Sequence, residues 1–158
     1  MKTAFAHCLI TMAVSAVPVG LALAVACSSS NSAPPPGQTG STCTTAAQCY
    51  PGVDAGALQG TVTCLTQLQN GYCTHTCQTN ANCCTVPSEC PTGLAEICSP
   101  LQSAGTTYCL VACDSASIAA NPNAGTTDPG AYCQRWANPT FTCRSSGGGS
   151  ANQKFCGP

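Results

Sequence analysis

Charge is scarce in this chain. Only 6% of its 158 residues are Asp, Glu, Lys or Arg, and the formal net charge is −1. A nucleic-acid partner calls for a basic patch that can meet phosphates, and no cluster of Lys or Arg supplies one. Aromatic residues are few as well, at 5%. The shortage of large apolar side chains is the most telling. From Cys43 to Pro158 there are 116 residues, and fourteen of them are Val, Leu, Ile or Phe. That is below the roughly 20% expected of an ordinary core, so without cross-links this stretch would be disordered or marginal. Histidine is nearly absent: beyond the N-terminal segment only His75 remains. A nucleophile–base pair would need it beside a serine or cysteine and an orienting acid such as Glu89 or Asp114, and nothing in the spacing selects them. No C-x-x-C motif occurs, which removes the usual redox dithiol and the paired knuckles of common zinc sites.

What the chain does have is cysteine. Sixteen are present, fourteen of them from Cys43 onward: Cys43, Cys49, Cys64, Cys73, Cys77, Cys83, Cys84, Cys90, Cys98, Cys109, Cys113, Cys133, Cys143 and Cys156. The other two, Cys8 and Cys27, lie in the N-terminal segment. Disulfides compensate for a thin core by restricting the unfolded chain, by about 2–4 kcal/mol each. They persist in oxidising compartments outside the cytoplasm. Cys73, Cys77, Cys83 and Cys84 near His75 could instead be imagined as thiolate ligands. Export argues for bridges in their place, so no metal or other cofactor is expected.

Residues 1–26 have the layout of a secretory signal: Lys2, then an apolar run from Leu9 to Ala26. Pro18 and Gly20 within that run favour a cleaved signal over a membrane span. Leu23-Ala24-Val25-Ala26-Cys27 resembles the lipobox of bacterial lipoproteins, with Ala24 where Leu is usual. That resemblance implies an acylated Cys27 as the mature N-terminus. Parity agrees, because fourteen cysteines then remain and all can pair. Residues 27–42 would form the lipidated cysteine and a flexible Ser/Pro-rich tether. No aspartate follows Cys27, which in such lipoproteins implies the outer membrane.

The cysteines recur in a pattern. A cysteine is followed by an aromatic–cysteine pair in Cys64 to Tyr72-Cys73, Cys98 to Tyr108-Cys109 and Cys143 to Phe155-Cys156. C-x5-C pairs, Cys43/Cys49 and Cys84/Cys90, precede the first two copies. This reads as a disulfide-rich repeat domain over 43–158 with units of about 43–83, 84–113 and 114–158. The expected fold is small and mainly β: two to three stacked, cysteine-bridged hairpin modules with long loops and little helix outside the signal.

Asn70-Gly71 is a strong signal for a two-residue hairpin turn. That register sets Cys64 opposite Cys77, predicting a Cys64–Cys77 bridge, and places His75 opposite Thr66 as a solvated cross-strand residue. A turn at Gly105-Thr106 would likewise set Cys98 opposite Cys113. Adjacent Cys83 and Cys84 should take different partners. Segments 51–60 and 115–130 read as surface loops, and Pro91–Cys98 could hold a helical turn or two. Tyr72, Tyr108, Tyr132 and Phe155, each before a cysteine, should pack over neighbouring bridges.

As a whole the chain resembles the cysteine-rich secreted lipoproteins of Gram-negative bacteria. That family carries no catalytic residues over to this sequence. The leading expectation is a non-enzymatic, envelope-anchored structural or binding protein. Its anchor is Cys27, its site is the outer membrane or cell surface, and its ligand is an unidentified protein or carbohydrate. A freely secreted inhibitor or toxin-like effector is the second reading, and a thiolate metal-binding protein the third.

Overall fold

The structure, a computed structural model, describes residues 37–54, 56–90, 93–101, 105–146 and 153–158. Cys8, Cys27, the signal and most of the tether lie outside the described residues. The fold is small, mainly β and rich in disulfides. Three antiparallel hairpins follow one another: β1 (Val62–Cys64) with β2 (Cys73–His75), β3 (Glu96–Pro100) with β4 (Thr107–Val111), and β5 (Thr142–Ser145) with β6 (Lys154–Gly157). Two short helices, α1 (Ser115–Ala120) and α2 (Pro129–Trp136), precede the third hairpin.

Each recurring segment in the sequence forms one hairpin. Cys64 faces Cys73, Cys98 faces Cys109, and Cys143 faces Cys156. The facing cysteines do not bond to each other. Both reach back to the segment that precedes the hairpin. In the first module Cys43 bonds Cys64 and Cys49 bonds Cys73. In the second Cys77 bonds Cys98 and Cys83 bonds Cys109. In the third Cys113 bonds Cys143 and Cys133 bonds Cys156. The order is first to third and second to fourth every time. Cys84–Cys90 is the remaining bridge and stands outside that scheme.

The expected Cys64–Cys77 and Cys98–Cys113 bridges are therefore not formed. Cys77 and Cys113 do not close the preceding hairpin; each opens the next module. The units run 43–73, 77–109 and 113–156, in place of boundaries after 83 and 113. The C-x5-C pair of the second module is correspondingly Cys77/Cys83, not Cys84/Cys90. Its likeness to the first is close: a 3-10 turn fills each pair, Ala46–Gln48 in one and Asn80–Asn82 in the other. Gln48 Oε1 accepts the backbone N–H of Thr44 and Thr45, and Asn82 Oδ1 accepts those of Gln78 and Thr79. The residue after each pair, Tyr50 or Cys84, takes a left-handed backbone at φ 56° or 59°.

The register differs for a physical reason. In the first hairpin Leu65 and Leu68 are both buried, so the chain leaves the ladder after Cys64 to place them in the core. Two successive turns follow, closed by Leu68 N–H to Leu65 O and Gly71 N–H to Leu68 O. Asn70 and Gly71 do adopt positive φ, 66° and 67°, but they serve as a docking edge. Asn70 O accepts the Cys43 N–H, and a Cβ on Gly71 would fall 1.9 Å from the Cys43 carbonyl oxygen. In the second hairpin pairing ends at Pro100 opposite Thr107, leaving a comparably wide connection.

The hairpins join through their second strands. Thr76 bridges Tyr108, and Ala112 bridges Phe155. The N–H of each module's first cysteine donates to the second half of its own hairpin: Cys43 to Asn70, Cys77 to Thr107, Cys113 to Lys154. The main core gathers Tyr72, Leu110, Val111, Tyr132, Trp136 and Phe141 with Phe155. Tyr72 stacks on Phe141 at 5.4 Å between ring centroids, so the first module packs on the third. Tyr72, Tyr132 and Phe155 are buried as expected, while Tyr108 is half-buried.

Helix forms where loop was expected. Asp114 caps α1 by accepting from Ala116 and Ser117, and Asp128 caps α2 with Pro129 at its first position. The segment 93–101 holds β3 and no helix. A non-reducing peptide map should join Cys43 to Cys64 and Cys77 to Cys98; a Cys64–Cys77 peptide would contradict this fold. In chain-entropy terms, removing Cys83–Cys109 should cost about 3.5 kcal/mol and removing Cys84–Cys90 about 2 kcal/mol, read from urea midpoints.

Candidate functional site

A buried polar grouping lies between the first two modules. His75 ends β2 and Glu96 begins β3, while Glu89 comes from the loop closed by Cys84–Cys90. Tyr50 and Thr39 complete the group from the N-terminal side. His75, Glu89 and Thr39 are 0% exposed, Tyr50 3% and Glu96 9%. Such burial is costly for polar groups unless each finds a partner.

Glu89 is well supplied. Its carboxylate accepts backbone N–H groups from Cys84 (2.6 Å), Thr85 (2.7 Å) and Val86 (3.0 Å), and the Thr85 hydroxyl as well. Desolvation pushes its pKa up, but these hydrogen bonds and His75 outweigh that and hold it below the usual range. His75 Nε2 lies 2.8 Å from Glu89 Oε1, and Nδ1 lies 3.0 Å from the Thr76 carbonyl oxygen. Both ring nitrogens thus have an oxygen partner within the fold. The Tyr50 ring meets His75 edge-on at 5.8 Å, and its hydroxyl shares a 2.7 Å hydrogen bond with Thr39. The His75–Glu89 pair ties the first hairpin to the 84–90 loop.

This overturns the expectation of a solvated His75 opposite Thr66. His75 faces Val62 and is enclosed. No period-two signal marks it, because Cys73, Thr74 and His75 of β2 are all buried. The same enclosure separates His75 from the surface where a substrate would arrive.

Glu96 is the contrasting acid. Burial raises its pKa to about 8; the neighbouring Glu89 charge adds to the rise, and the Thr39 hydroxyl offsets part of it. Its Oε2 has no hydrogen-bond partner, and its Oε1 lies 2.9 Å from Cys90 Sγ. A disulfide sulfur carries no hydrogen, so this contact is favourable when the carboxyl itself holds the proton. Burial likewise raises the phenols of Tyr50 and Tyr72, with Glu96 contributing to both.

Elsewhere the surface is open. Segment 51–60 is largely exposed but has a fixed base: Leu58 is buried, and Val53 N–H donates to Tyr50 O. A groove of about 740 Å³ runs between residues 37–44 and the end of α2, with Thr42, Gln48, Asn70 and Gln134 on its walls. Asn138 accepts from Thr140 and donates to Gln69 O, joining the third module to the first hairpin. The cysteine groupings that might suggest a metal are bridges: all fourteen cysteines from Cys43 onward are paired.

Comparison with protein-family models, curated proteins and solved structures finds no match to the chain. What the geometry defines is a small disulfide-rich β protein built from repeated bridged hairpins. Seven bridges are the mark of an exported protein. Among the described residues no helix is long and apolar enough to cross a membrane.

The acids set the pH response. The folded pKa of Glu96 lies above its unfolded value of 4.5. Its stabilisation is complete below that value and is lost as pH rises through about 8. Glu89 and Asp114 are lowered, so their stabilisation holds at higher pH and is lost as pH falls through their folded values. Glu96→Gln should flatten the loss of stability between pH 5 and pH 8, read as thermal midpoints across that range. His75→Ala removes one of the several hydrogen-bond partners of the buried Glu89 and should cost about 1.5–3 kcal/mol, read from denaturant midpoints.

Proposed function

We propose that this is a non-enzymatic lipoprotein of the cell envelope, held at the outer membrane by an acylated Cys27. It presents disulfide-held loops to a protein or carbohydrate partner. The observation that carries this reading is the scaffold. Three modules share one bridging scheme, and the exposed 51–60 loop rises from a base fixed by Tyr50, Leu58 and the Cys49–Cys73 bridge. Such a frame holds a loop in one shape, which lowers the ordering cost of binding. The enclosure of His75 supports the non-enzymatic reading, because its polar atoms are occupied within the fold. The pairing of all fourteen cysteines from Cys43 onward weighs against thiolate metal storage.

The test is the intact mass of the native protein, extracted from membranes with detergent and alkylated without reduction. A chain beginning at Cys27, carrying acyl groups and no alkylated cysteine, is the expected result. An unacylated chain recovered from the medium would favour the secreted inhibitor or effector. Many alkylated thiols would bring metal binding forward.

A further inference from the structure

Cys84–Cys90 differs from the other six bridges in three ways. It lies outside the first-to-third, second-to-fourth scheme. It closes the shortest separation, 6 residues against 21 to 30. Each of the other bridges has at least one buried cysteine, whereas Cys84 is exposed and Cys90 half-buried. Its loop has independent support, because Glu89 accepts the N–H groups of Cys84, Thr85 and Val86, and Gln38 donates to Ser88 O. Opening the bridge would therefore leave the loop shaped. Finally, one of its sulfurs, Cys90 Sγ, touches a buried carboxyl, Glu96 Oε1, at 2.9 Å.

We propose that Cys84–Cys90 is an exchangeable bridge, opened by an external dithiol while the other six stay closed, and that Glu96 donates a proton to the departing Cys90 sulfur. The chemistry balances. A thiolate of the dithiol attacks Cys84 Sγ, the sulfur of the more exposed residue of the pair, and the Cys84–Cys90 S–S bond breaks. The bond's electron pair leaves on Cys90, which takes the Glu96 carboxyl proton and becomes a thiol. The second thiol of the reagent then resolves the mixed disulfide and releases Cys84. The protein gains two hydrogens and the reagent becomes a disulfide. Glu96, now a carboxylate, accepts the Cys90 S–H until solvent reprotonates it.

The groups around Glu96 allow this role. Glu89 is a fixed negative charge paired with His75; Tyr50 and Tyr72 are neutral phenols; Thr39 is a neutral hydroxyl. In that setting the carboxyl titrates at about 8 and keeps its proton at neutral pH. Attack on the outer sulfur with proton delivery to the inner one assigns distinct tasks to the two cysteines. A lower-energy leaving group speeds exchange, and positioned general acids commonly contribute a hundredfold or more.

The test is partial reduction of the native protein with limiting dithiothreitol, quenched with N-ethylmaleimide and mapped by mass spectrometry. Cys84 and Cys90 should be labelled first, at a time when the other twelve cysteines carry no label. Glu96→Gln should slow that labelling about a hundredfold at pH 6. The ratio of wild-type to variant rates, in which the reagent's own ionisation cancels, should fall toward one above pH 8. A Cys84→Ser/Cys90→Ser variant should keep its remaining bridges closed to the label. First labelling at another pair, a pH-independent rate ratio near one, or loss of the other bridges in the serine variant would each overturn the proposal. Because the readout is thiol labelling, failure here leaves the membrane anchor of the proposed function untouched.

Discussion

Everything in this fold hangs on where the two facing cysteines of each hairpin are tied. A hairpin with strands of three to five residues is marginal in water by itself. Here both of its strands are fastened to the segment that precedes it, at Cys64 and Cys73, Cys98 and Cys109, Cys143 and Cys156. The segment and the hairpin become one unit without a large core. The hydrophobic residues are then free to join units: Tyr72 reaches Phe141, and Leu110 and Val111 share the same cluster.

The third module shows how tolerant the scheme is. A 3-10 turn separates the first two cysteines of the other modules, but in the third α1 follows Cys113 and Cys133 sits within α2. The bridge order is unchanged. Trp136 and Tyr132 enter the core from α2 and supply much of its volume. The insertion therefore brings apolar surface that the shorter modules lack.

The joint between the first and second modules works differently. It is polar, with Glu89 and His75 as a matched pair and Glu96 as a protonated neighbour. A buried pair of this kind fixes relative placement more than it adds stability. It also sets the 84–90 loop, whose bridge is the most accessible in the molecule. Electrostatics and disulfide chemistry thus meet at one place on an otherwise weakly charged protein.

Composition and local pattern made the class legible. Fourteen cysteines against so few large apolar residues point to a bridged β domain, and the Cys-to-aromatic-Cys segments mark the three hairpins. The two helices were not legible, because 115–130 is rich in Gly, Pro and Asn and reads as loop, yet Asp114 and Asp128 cap helices there. Nor was the pairing. Cys77 looked like the end of one hairpin because it lies close to it in sequence, yet it opens the next. The burial of His75 was hidden for the same reason, since Glu89 arrives from a loop fourteen residues away. The chain by itself determined the kind of module, a cysteine-bridged hairpin repeated two to three times, and what holds it. The tertiary structure alone decided which sulfur meets which, because sulfur–sulfur proximity depends on how the turns redirect the backbone and on where Leu65, Leu68 and Tyr72 find cover.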